Sequence, residues 1–312
     1  MAKAQQITER VGTLDPQAWL AEVLHVRFEE VIKCRDAALD PVRIDGVHDM
    51  RVAIRRLRSV IRDFGEITDK FPLKNLRKRL KRLADSLGVV RDADVCITTL
   101  EKLSAQTSDE GIRAGIESIA SEYRATRAAG LEELKKELAP ERIADLESRF
   151  DAALGESLKQ RGLYQVGRIE DAAESIISKC RKDFLAQGEA IYYPHSIQRL
   201  HRMRIAGKHL RYAVELFADV LGEGAEVLAD ETKKMQGYLG DVHDCDVWTT
   251  QLRDRVLNGK TKNAPGVDER KADIWLMSEF QRRRTKAYRK ALALWTKWDE
   301  DSFWKKNQGT QG

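Results

Sequence analysis

Apolar residues recur along this chain at intervals of three and four, the spacing of one face of an α-helix. Trp19, Leu20, Val23, Leu24, Phe28 and Val31 form the first such face, opened by Asp15-Pro16 as a helix start. A turn follows at Asp40-Pro41, then a helix over about 47–65. Phe71-Pro72 opens another, with Leu73, Leu76, Leu80, Leu83 and Leu87 along one side. Further helices are predicted near 91–104, 109–138, 141–160, 168–189, 196–221, 225–238, 242–257 and 268–298, with an exposed loop over 258–268. No convincing strand alternation interrupts this pattern, so the fold class is all-α.

The pattern is also written twice. VHDMRVAIRRLRSVIRDF (47–64) aligns with LHRMRIAGKHLRYAVELF (200–217) at an offset of 153, with seven identities in eighteen. LKRLADSLGVVRDADVCITTL (80–100) aligns with TKKMQGYLGDVHDCDVWTTQL (232–252) at an offset of 152, with nine identities in 21. A weaker echo pairs SEYRATRAAGL (121–131) with SEFQRRRTKAY (278–288). The order is kept and the offsets nearly agree. Two pseudo-symmetric helical-bundle halves are expected, residues 1–160 and 161–312, with the join near 155–167.

The polar positions carry the chemistry. From His48, residues Arg51, Arg55, Arg58 and Arg62 stand at +3, +7, +10 and +14, one stripe of a helix. Met50, Ala53, Ile54, Leu57, Val60, Ile61 and Phe64 take the opposite face. From His201, residues Arg204, Lys208 and Arg211 repeat +3, +7 and +10, against Met203, Ala206, Leu210, Val214 and Phe217. The first row spans roughly 20 Å at the helical rise. Arg77, Lys81 and Arg82 lie on the next helix, and Lys81 and Arg82 align with Lys233 and Lys234. Residues 48–91 hold thirteen Lys/Arg against five Asp/Glu, a net of +8 where the whole chain of 312 carries +5. Like charges on successive turns repel, and no acid stands within 50–62 to relieve them. A phosphate polymer would: a guanidinium donates two parallel hydrogen bonds, and a histidine donates more strongly once protonated beside an anion. A solvated surface face is the alternative, weakened by the repetition.

In the paired motifs SLGVVRDADV and YLGDVHDCDV, Gly88 and Gly240 fit helix C-caps and Asp92 and Asp244 fit caps of the next helix. Asp94 and Asp246 could instead anchor a basic side chain. Composition narrows the field further. Six prolines and 20 glycines favour long helices. Cys34, Cys96, Cys180 and Cys245 lack metal-type spacing and read as buried, reduced thiols of a cytosolic protein. No signal-peptide or membrane-spanning pattern is present, so a soluble, intracellular chain is expected. His25 reads as a packed core or boundary residue and His195 as a cap or loop residue, and His209 lies off the row. The Trp-rich end ALALWTKWDEDSFW reads as packing plus a frayed tail.

H-x-x-R-x-x-x-[RK]-x-x-R followed by L-G-x-x-x-D-x-D-V, twice in an all-helical chain, resembles the CHAD family, the conserved histidine α-helical domain. The resemblance covers about Trp19 to Trp295. It implies two four-helix-bundle halves around a central basic channel that binds inorganic polyphosphate. Carried over by position, the ligand-facing residues are His48, Arg51, Arg55 and Arg58, then His201, Arg204, Lys208 and Arg211, with Lys81 and Lys233 beside them. Relatives are often fused to a triphosphate-tunnel catalytic domain; no E-x-E-x-K signature occurs here, so a stand-alone module is expected. Gly207 opposite Ile54 and Arg91 opposite His243 depart from the symmetry.

The expected function is therefore polyphosphate binding without catalysis, cofactor or metal, in the cytoplasm and at polyphosphate granules. Nucleic acid is the less favoured ligand because stacking platforms are lacking. Two competing readings stand beside it. One is an HD-type metal-dependent phosphohydrolase using His48-Asp49 and His243-Asp244, opposed by the repeat, which sets Asp49 against Arg202 and His243 against Arg91. The other is a helical scaffold that binds acidic proteins or nucleic acid.

Overall fold

The computed structural model describes residues 16–65, 70–159, 168–221, 223–258 and 266–306, and among these no residue is in a strand. The helices are α1 (Pro16–Lys33), α2 (Arg35–Leu39), α3 (Ile44–Phe64), α4 (Lys70–Ser104), α5 (Glu110–Glu137), α6 (Pro140–Lys159), α7 (Ile169–Leu185), α8 (Ile197–Leu216), α9 (Ala218–Leu221), α10 (Glu223–Asn258), α11 (Val267–Glu300) and α12 (Phe303–Lys306). A 3-10 turn, Gly188–Tyr192, precedes α8. Much of the loop expected over 258–268, part of the join near 155–167 and Asp15 lie outside the described residues.

The residues divide into two compact units, Met1–Thr98 with Ser121–Ala173, and Thr99–Ala120 with Glu174–Gly312. In the first, α3 packs on α1 and α2, and α1 on α6. The apolar faces read from the sequence are its core: Trp19, Val23, Leu24 and Val31 on α1, and Met50, Ile54, Leu57 and Phe64 on α3, are almost wholly buried. Phe28 stacks on Phe150 of α6 with centroids 4.0 Å apart, a pair worth about 1 kcal/mol beyond its buried area. Gly46 brings α3 against α2, since a Cβ there would collide with the Ala37 carbonyl.

In the second unit α10 packs along α8 and α11. Met203, Leu210, Val214 and Phe217 of α8 are buried, while Ala206 is half-buried. Gly207 serves close packing: a Cβ there would stand 3.1 Å from the Phe184 ring. The Trp-rich end is packed, with Trp295, Trp298 and Trp304 buried around Phe184. Residues 307–312 lie outside the described set.

Several expectations are corrected. α4 and α10 each run unbroken through the stretches read as two helices, so Gly88 and Gly240 are interior positions and Asp92 and Asp244 cap nothing. A glycine costs a helix about 1 kcal/mol against alanine, which packing along helices of this length outweighs. His25 is exposed, its Nε2 3.1 Å from Glu29 Oε1, because it falls some 100° beyond Leu24 on the helical wheel. Of the cysteines, none of them in a disulfide, Cys180 and Cys245 are buried but Cys34 and Cys96 are only half-buried.

Candidate anion-binding site

The five residues of the first row, His48, Arg51, Arg55, Arg58 and Arg62, are all half-buried on α3, which has its apolar face in the core. Long side chains so placed lay their methylenes on the protein and keep the charged head near water. Arg51 crosses to α4 over Gly88. Its Nη1 is 3.5 Å from the Ala84 carbonyl, and a Cβ on residue 88 would stand 2.5 Å from that nitrogen. The motif glycine is thus a seat for the arginine, a role the sequence reading missed. Asp92 approaches Arg51 only to 3.8 Å and is itself largely exposed, so it neutralises little.

Positive charges are crowded in this unit. Burial works against protonation of His48, and so do the charges of Arg91 and Arg55, holding its pKa below the ordinary 6.5, with Asp49 and Asp45 pulling the other way. Burial also opposes the charge of Arg58, as does Arg77, while Asp85 partly offsets them. Arg58 still carries its charge at neutral pH, and its buried Nε has no hydrogen-bond partner among the described residues. The structure therefore brings Arg77 of α4 to the α3 row. Lys81 and Arg82 are exposed on α4, with Asp85 3.6 Å from Lys81. Arg62 sits against Asp63 at 2.6 Å.

The second unit repeats the plan with substitutions. His201, Arg204, Lys208 and Arg211 are half-buried on α8. Arg204 lies over Gly240 more loosely, its Nε 4.0 Å from where a Cβ would be, and that buried Nε has no hydrogen-bond partner among the described residues. Arg211 is tied down: its Nε donates to Glu215 at 2.6 Å and its Nη1 to Gln236 at 2.8 Å. Lys233 is exposed, and Lys234 donates to Glu231 at 2.6 Å. His201 meets His243 of α10, Nδ1 to Nδ1 3.3 Å. Burial lowers the His243 pKa below 6.5, as do the charges of Arg204 and His201, against Asp246. Arg91 and His243 thus stand beside the row histidines, positions read from the sequence as a mismatch between the repeats and, for His243, as part of the metallohydrolase alternative. That mismatch was the available signal.

Each unit also holds a buried aspartate paired with an arginine. Asp94 accepts from Arg127 Nε at 2.5 Å, and Asp246 from Arg284 Nε at 2.5 Å. Both aspartates are 7% exposed. They anchor a basic side chain, one of the two roles weighed from the sequence, and the arginines occupy corresponding places in the weak third echo. Arg284 Nη2 also donates to the Pro194 carbonyl at 2.7 Å, holding the segment that leads into α8. Among the described residues no group of three or more His, Cys, Asp or Glu is placed to hold a metal ion.

Comparison with known proteins agrees with this architecture. Over 231 residues the chain is 28% identical to the uncharacterized protein Rv2226 of Mycobacterium tuberculosis strain H37Rv, covering 72% of this chain and 43% of that protein. The same figures hold for the uncharacterized protein MT2285 of strain CDC 1551. The chain thus matches less than half the length of these relatives. Among solved structures, the CHAD domain from the plant Ricinus communis superposes with a TM-score of 0.70 at 20% identity, covering 94% of this chain and 96% of that one. PptA from Streptomyces chartreusis superposes with a TM-score of 0.63 at 12% identity, covering 89% and 98%. The CHAD domain family model matches residues 22–253, most of the chain, and with the doubled His/Arg rows and the shared fold this places the protein in the CHAD domain family.

Proposed function

We propose that this chain binds inorganic polyphosphate along its His/Arg rows and catalyses no reaction on it, acting in the cytoplasm at polyphosphate granules. The observation that carries this reading is the state of the rows. His48, Arg51, Arg58, Arg77 and Arg91 crowd one unit, and His201, Arg204 and His243 the other, with few carboxylates in contact. Such crowding is unfavourable until an anion arrives, and a linear polyanion relieves several cations at once while releasing its own counterions. Arg55 and Lys208 are placed on the same rows. Arg62, Arg211, Lys81 and Lys234, each near an acid, contribute less; Arg82 and Lys233 act as exposed outliers.

The rows suit phosphate better than nucleic acid. The rings carried by these helices, Phe64 and Tyr212, are buried, so they offer bases no stacking surface. Among the described residues no helix is long and apolar enough to cross a membrane. The test is calorimetry with long-chain polyphosphate at two salt concentrations, with duplex and single-stranded DNA as competitors. Polyphosphate is expected to bind with a steep salt dependence and to displace DNA at matched charge. A variant carrying Arg51→Glu, Arg55→Glu, Arg204→Glu and Lys208→Glu is expected to keep its helical circular dichroism and lose binding. Retained affinity in that variant would exclude the rows as the site, and preferential binding of DNA would favour the nucleic-acid scaffold. Phosphate release from polyphosphate by the purified chain would overturn the non-catalytic part.

A further inference from the structure

The repeat places Arg91 in the first unit where His243 stands in the second. Each neighbours the row histidine of its own unit, Arg91 through its charge on His48 and His243 through direct contact with His201. We propose, resting on the polyphosphate reading, that Arg91 and His243 are themselves phosphate ligands, and that the second site is completed by a proton. A phosphate oxygen arriving between His201 and His243 draws one from solvent, whereas in the first unit the Arg91 guanidinium supplies that charge permanently.

The geometry carries the argument. Two imidazole Nδ1 atoms 3.3 Å apart require one to donate and the other to accept, so one ring presents a lone pair there. Full protonation would set two N–H groups against each other in a half-buried place. The remaining surroundings resist it as well. From α8, Arg204 adds a positive charge, and the acid acting on His243 from its own helix, Asp246, is held by Arg284 of α11. An anionic oxygen that accepts from both rings removes the conflict and favours the arrangement in which both Nδ1 atoms carry a proton and one ring is an imidazolium. The proton moves from water or buffer to the ring nitrogen that had been the acceptor, and no other bond changes. The titration of His48 is common to wild type and to the variants at 243, so differences among these report on that position, whereas Arg91→His also relieves His48 of a neighbouring charge.

The test is titration calorimetry of the full chain with long-chain polyphosphate, whose internal phosphates do not titrate near neutrality, in buffers of different ionisation enthalpy. The dependence of the heat on buffer gives the protons taken up. Wild type is expected to take up protons on binding, His243→Arg about one fewer, and Arg91→His about one more. Between pH 5 and 8 the affinity of His243→Arg should vary less than that of wild type, with tighter binding at the alkaline end. His243→Gln provides the same comparison should the arginine fail to fold there: its uptake should also drop. Equal uptake by wild type and the 243 variants overturns the inference and leaves the polyphosphate reading standing. Absence of polyphosphate binding by wild type across that range overturns both.

Discussion

Replacing Gly88 with alanine separates the stability of α4 from the use of Arg51. Residue 88 is inside a continuous helix, so the added methyl stabilises the helical backbone by about 1 kcal/mol. The atoms it would meet belong only to the Arg51 guanidinium, Nη1 at 2.5 Å and Cζ at 3.7 Å. A side-chain tip can swing away, and the contact it leaves, 3.5 Å to the Ala84 carbonyl, is too long to cost much. The chain should therefore melt at the same temperature or higher. Under the proposed function binding should suffer, because a displaced Arg51 would forfeit aligned charge-assisted hydrogen bonds to phosphate. Such a bond contributes about 1.5 kcal/mol at the low end, or roughly tenfold in affinity. Gly240→Ala is the control: its Cβ would stand 4.0 Å from Arg204 Nε, an ordinary contact. It should stabilise similarly and change affinity by less than about twofold. Thermal unfolding and calorimetric titration with polyphosphate read both quantities. Unaltered affinity in Gly88→Ala, or an equal loss in Gly240→Ala, would refute the idea that the glycine is a seat.

Three other outcomes follow from the same contacts. Asp246→Ala strips Arg284 of its carboxylate partner in a buried place, and urea unfolding should record a loss of about 3 kcal/mol; a loss below about 1 kcal/mol would contradict an anchoring role. Because burial first, and neighbouring cations second, lower the pKa values of His48 and His243, the unfolded chain binds protons there before the folded one does. Stability without ligand should thus fall as pH drops from the ordinary 6.5 toward the folded values, and the double variant His48→Gln, His243→Gln should flatten melting temperature against pH in that window. Burial, with Asp241, Asp244 and Asp246 nearby, pushes the Cys245 thiol up to about 11, so maleimide at neutral pH should label the half-buried Cys96 well before Cys245.

Much of this protein is present in its one-dimensional pattern. The intervals of three and four that set Met50, Ile54, Leu57 and Phe64 on one side of α3 and His48, Arg51, Arg55 and Arg58 on the other need no neighbour to be read, because a helix fixes its own faces by its turn. Such local geometry determined the all-α class, the apolar faces of α1, α3 and α8, and both cation rows. Position along one helix does not tell which atom of another helix it meets. Gly88 read as a stop signal, since glycine commonly ends helices, whereas Arg51 passing over α4 gives the missing side chain its purpose. The bond from Arg211 to Gln236, the engagement of Asp94 by Arg127, and the meeting of His201 with His243 were decided only by the tertiary structure. They depend on the register and separation of packed helices, which core packing sets and no helical period encodes.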